Sequence, residues 1–284
     1  MNKKLAALGI LLVSAAFAGG SICGFFLGQG NTEYSQQTTE IHDSETALSS
    51  SVSSSAESET SASTESQNSL SQESEDCWLD NGYNYLAIGN SITRHNITSY
   101  WWNEIGMAAS DETRDYYHIV LKNLEENNEI VKGEVCNLYG WESLSHDRDG
   151  ALYLLDGYLS PKLDLITIQL GENVNDLSTF QSDFLSLLQY IKENSPNARI
   201  LVIGDFWIRE NRNELKETAA QEADVEFVSL DGIASNSAYY RGLGSYVYDK
   251  DGNPHVVEHE GVAIHPGDAG MKAIADRIIK TLDQ

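Results

Sequence analysis

Ser91, Gly140, Asn173 and His265 are the residues whose types and surroundings could carry acyl-group chemistry. Ser91 lies in the stretch Tyr83 to Thr93, apolar through Ile88 and broken at Gly89. A serine just past the carboxyl end of a parallel strand is a candidate nucleophile, and the N–H of its own tight turn can serve an oxyanion. Gly140 closes the run Val135-Cys136-Asn137-Leu138-Tyr139, and a glycine there lets a backbone N–H come close to a ligand. Asn173 follows the run Asp164–Leu170 within Gly171-Glu172-Asn173, where a side-chain amide can donate to a developing negative charge. His265 is held in Ile264-His265-Pro266-Gly267-Asp268-Ala269-Gly270, a rigid turn before the last helix. Each has an ordinary reading alone: a turn serine, a turn glycine, an Asn-rich loop, a structural histidine. Their weight comes from occurring together.

The elements that must position them follow from hydrophobic periodicity. Apolar strand-like runs recur at Tyr83–Ile88, Val135–Tyr139, Leu163–Leu170, Ile200–Ile203 and Val225–Leu230. Helix-period segments lie between them. Tyr117, Val120, Leu121 and Leu124 share one face, and Phe180, Phe184, Leu187 and Ile191 another, with Pro196 closing the second helix. A last helix carries Met271, Ile274, Ala275, Ile278, Ile279 and Leu282 at i, i+3, i+4, i+7 spacing. Strand alternating with helix implies right-handed crossovers and a parallel sheet covered on both faces. The expected fold is a three-layer α/β/α sandwich, flavodoxin-like, with about five strands, occupying residues 77–284.

In order and spacing, these segments resemble the SGNH (GDSL-like) esterase superfamily. Gly89-Asn90-Ser91-Ile92-Thr93 is similar to its first block, with Asn90 where Asp is usual; Gly140 matches the second-block glycine. Gly171-Glu172-Asn173 is similar to the third block and His265-Pro266 to the last. The resemblance spans Tyr83 to Gln284, and Gly106–Ser110 together with the His265–Met271 segment looks like a bacterial surface-anchored subgroup. It implies that Ser91 is the nucleophile, His265 its general base, and that Ser91 N–H, Gly140 N–H and the Asn173 side chain form the oxyanion hole. One position departs. The family commonly has an Asp three residues before the His, and here that residue is Val262. A backbone carbonyl, or one of Glu258, Glu260 and Asp268, is left to orient the imidazole.

The N-terminus bears on location. Lys3 and Lys4 precede an uncharged, mostly apolar run from Leu5 to about Leu27. This predicts a membrane anchor over 1–29 with everything downstream outside. Ala16-Phe17-Ala18 offers cleavage as a signal peptide as the alternative. Residues 30–76 are Ser, Thr, Glu and Gln with hardly an aromatic, the composition of a disordered spacer. The formal net charge of -25 argues against nucleic acid and anionic membrane surfaces as partners. Much of it sits in that spacer, since no Lys or Arg occurs between Lys4 and Arg94. Cys77 and Cys136 read as free buried thiols, with a disulfide in an oxidising compartment as the alternative.

Two other readings compete. His255-Val256-Val257-Glu258-His259 matches the H-x-x-E-H zinc signature, which needs a helix to align its histidines. Gly252, Asn253 and Pro254 before it and the paired valines within it oppose a helix. Trp101, Trp102 and Trp141 could instead stack on sugar rings, making a catalytically weak or inactive anchored glycan-binding module. The sequence favours an extracytoplasmic serine esterase acting on a short acyl ester of a carbohydrate or cell-envelope glycan. No Gly-rich phosphate cradle calls for a cofactor.

Overall fold

The run Tyr83–Gly89 is apolar because it forms the middle of a sheet with helices on both sides, and all of it past Tyr83 is buried. The computed structural model describes residues 77–144, 147–233 and 236–284. The expected anchor (1–29) and spacer (30–76) lie outside these. In chain order the elements are β1 (Tyr83–Gly89), α1 (Tyr116–Asn127), β2 (Val131–Asn137), α2 (Tyr139–Ser143), β3 (Leu165–Gln169) and α3 (Phe180–Asn194). Then come β4 (Arg199–Ile203), α4 (Arg212–Glu222), β5 (Glu226–Val228), β6 (Tyr246–Tyr248), β7 (Pro254–Val256), α5 (Glu260–Ala263) and α6 (Asp268–Leu282).

β1 to β5 form a parallel five-stranded sheet in the order β2-β1-β3-β4-β5. Alternating side chains feed two cores, as strand periodicity requires. Tyr85, Ala87, Leu165, Leu201 and Ile203 pack with α1 and α6, through Tyr116, Val120, Ile274 and Ile278. Leu86, Ile88, Ile166, Ile168, Ile200 and Val202 pack on the other face with α3 and α4, through Phe184, Leu187, Ile191 and Ala219. The expected three-layer α/β/α sandwich is present.

The strand order reverses at β1. The chain goes from β1 to β2 on one side, then returns to β3 on the other, leaving a crevice at their carboxyl ends where such sheets bind ligands. Register puts Gly89 beside both Asn137 and Gln169, so the loops after β1, β2 and β3 start at one level.

Several details differ from expectation. β2 begins at Val131, not Val135, and ends before Leu138, where the backbone turns into α2. As an edge strand it is mostly half-buried, so Lys132 and Glu134 fit within it and break the apolar pattern. α4 was not foreseen, because the face it buries carries Arg212 and Lys216 in place of aliphatic residues. The antiparallel β6–β7 ribbon is too short to leave a pattern. Cys77 is exposed, Cys136 buried, and the two are not bonded.

Candidate active site

β1 ends at Gly89 because the next turn is too tight for a side chain. A Cβ there would meet Thr93 Oγ1 at 1.9 Å and the Gln169 carbonyl at 2.6 Å. Asn90 then shapes the turn. Its Oδ1 accepts from Ile92 N–H at 3.0 Å, and its carbonyl accepts from Thr93 and Arg94 N–H, each at 3.0 Å. Ser91 is thereby presented half-buried at the crevice, with its carbonyl held by Met107 N–H at 2.8 Å.

Across the crevice, the turn after α5 delivers His265. Its Nε2 lies 2.8 Å from Ser91 Oγ. Its Nδ1 lies 2.6 Å from the Gly261 carbonyl, and a carbonyl only accepts, so Nδ1 carries the proton and Nε2 is left to accept from the Ser91 hydroxyl. The orienting group absent at Val262 is therefore this backbone carbonyl. Glu258 and Glu260 are exposed, and Asp268 is occupied with Ser110 N–H and Oγ, each at 2.8 Å, and with Arg241. Trp207 sets its ring edge-to-face on His265 at 4.7 Å and donates its indole N–H to the Ile264 carbonyl at 3.0 Å. Burial pushes the His265 imidazole down to about 4, beyond what the Gly261 hydrogen bond restores, and His95 and His259 add to the depression.

Gly140 is the second residue of α2, at the end of β2, and its N–H has no protein acceptor among the described residues; the same is true of Ser91 N–H. Asn173 follows β3 and is exposed, with Gly171 at φ +121, a left-handed conformation that suits glycine. Ser91, His265, Gly140 and Asn173 thus all stand at the sheet's carboxyl edge. A cavity of about 320 Å³ lined by Thr93, Arg94, Asp115 and His118 includes none of them.

A buried polar layer lies beneath, and the sequence reading did not find it. Glu142 and Glu172 both accept from Asn90 Nδ2, each at 3.0 Å. Glu142 also takes Asn173 Nδ2 at 2.6 Å. Burial raises both carboxyl groups above the ordinary carboxylate range, and the Asp205 charge pushes Glu172 further the same way. A glutamate beside a tryptophan in a short helix gives no sequence signal for this.

The competing motifs separate. His255 lies in β7 and stacks on Trp102 at 4.3 Å, whereas His259 stacks on Tyr100 at 4.2 Å. A strand denies the helical alignment that the zinc signature needs. Among the described residues, no group of His, Cys, Asp or Glu is placed to hold a metal ion. Trp101 and Trp141 are fully buried in the two cores, so of the three tryptophans only Trp102 retains exposed surface.

No protein-family model and no curated protein matches the chain. In structure the chain is similar to GDSL-like lipases and esterases. The phospholipase A1 of Streptomyces albidoflavus aligns at 13% identity and TM-score 0.44, over 70% of this chain and 99% of the other. A putative GDSL-like lipase from Bacteroides ovatus aligns at 16% identity and TM-score 0.44, over 71% and 98%. A two-domain esterase active on acetylated mannans aligns at 15% identity and TM-score 0.42, over 71% of this chain and 48% of its own.

Proposed function

We propose that this chain is a serine esterase working through a Ser91–His265 dyad, and the observation that carries the reading is the Ser91 Oγ–His265 Nε2–Nδ1–Gly261 O relay. Ser91 Oγ attacks the acyl carbonyl as its proton passes to His265 Nε2. The oxyanion is met by Ser91 N–H, Gly140 N–H and the Asn173 amide. His265 then returns the proton to the leaving alcohol, and a water deprotonated by the same imidazole releases the acid from Ser91. A carbonyl dipole supports the imidazolium less than a carboxylate does. It still fixes tautomer and ring orientation, which a dyad requires.

The substrate proposed is a short acyl ester, acetyl above all, on a carbohydrate or cell-envelope glycan. The exposed Tyr139, next to Gly140, and the partly exposed Trp207, packed on His265, support a substrate with sugar rings. The apolar run from Leu5 to about Leu27 supports an extracytoplasmic domain tethered to the membrane, or secreted if the run is cleaved. Among the described residues no helix is long and apolar enough to cross a membrane. The test is hydrolysis of p-nitrophenyl acetate and of an acetylated oligosaccharide by wild type and Ser91→Ala. Equal behaviour of the two would leave the glycan-binding alternative standing.

A further inference from the structure

The three proposed oxyanion donors come from separate loops, after β1, β2 and β3. One side chain, carried on the segment after β2, bonds the loops after β1 and β3. Glu142 lies in α2 two residues beyond Gly140 and is 3% exposed. Its Oε1 accepts from Asn90 Nδ2 at 3.0 Å, from Gly171 N–H at 2.5 Å and from Asn173 N–H at 3.4 Å. Its Oε2 accepts from Asn173 Nδ2 at 2.6 Å. Asn90 in turn closes the Ser91 turn through Oδ1 and Ile92 N–H.

We infer that Glu142 is the positioning residue of the oxyanion hole, holding the Asn173 amide in its donating orientation and tying the Ser91 turn to the helix that carries Gly140. All its contacts are donors, so both oxygens serve as acceptors, the pattern of a carboxylate. Only the NH₂ end of Asn173 can face it. One N–H is spent on Glu142, and the other remains for the oxyanion. A neutral amide at 142 would present its own NH₂ to donors and turn Asn173 or Asn90 around. This rests on the esterase reading.

The test uses the full chain and p-nitrophenyl acetate, measuring kcat and KM for wild type, Ser91→Ala, Asn173→Ala, Glu142→Gln and the Asn173→Ala/Glu142→Gln double variant. Turnover that survives in Ser91→Ala sinks the esterase reading, and this inference with it. With Ser91→Ala inactive, Glu142→Gln is expected to lower kcat about a hundred- to a thousandfold, as loss of one oxyanion donor does, with KM little changed. The double variant is expected to be no slower than the slower single one, because both remove the same donor. A Glu142→Gln variant with wild-type kcat, a loss confined to KM, or fully multiplicative losses in the double variant would overturn it. Should Glu142→Gln fail to fold, Glu142→Asp keeps the charge and withdraws it by a methylene. The same kcat loss is expected there, and wild-type kcat would contradict the inference.

Discussion

His265 is the residue in which local chemistry and measurable behaviour meet most closely. An imidazole held down to about 4 is neutral, and so competent as a base, across the whole range from weakly acid to neutral pH. The acid limb of kcat/KM is therefore expected near pH 4, with a plateau through pH 5 to 7, read with a substrate that does not itself titrate there. A limb near the ordinary histidine value of 6.5 would show that burial does not hold the imidazole down. The same depression has a stability consequence. Between about 4 and 6.5 the unfolded chain binds the proton that folded His265 refuses, so this group's contribution falls as pH drops through that window and is complete above it. Asn173→Ala is expected to cost about 2.7–4 kcal/mol of transition-state stabilisation, seen in kcat.

At the scale of elements, the ends of β3 and β4 are fastened by a buried ionic cluster. Lys216, fully buried, donates to the Ile203 carbonyl at 2.6 Å and to Asp205 Oδ1 at 3.1 Å. Arg212 pairs with Asp205 and donates to the Glu172 carbonyl at 2.7 Å, next to Asn173. Removing one member strands a buried charge, so Arg212→Ala is expected to cost about 3–5 kcal/mol in denaturant unfolding. A change under about 1 kcal/mol would mean the cluster is solvated. This cluster also marks where sequence reading stopped. β1, β3, β4, α3 and α6 were legible because each buries an uninterrupted apolar run or stripe. α4 was not, since Arg212 and Lys216 occupy the positions where periodicity looks for leucine. β2 was displaced because an edge strand tolerates Lys132 and Glu134. Ser91, Gly140, Asn173 and His265 were singled out from their places at element ends, and Ser91 and His265 do meet. Gly261 O and Glu142 were not, because a backbone acceptor and a buried carboxylate leave no trace in residue order.

For the whole molecule, we propose a catalytic domain joined to an apolar N-terminal run through an acidic, Ser-rich segment. Fractionation of cells expressing the full chain is expected to find it with the membrane, with residues 77–284 degraded by protease added from outside. Recovery of full-length chain in the cytosol would contradict the proposed topology. The central claim is tested most directly by steady-state hydrolysis of p-nitrophenyl acetate by wild type, Ser91→Ala and His265→Ala. Turnover by wild type and its loss, by several orders of magnitude, in both variants is the predicted result. Wild-type rates in either variant would contradict the Ser91–His265 mechanism.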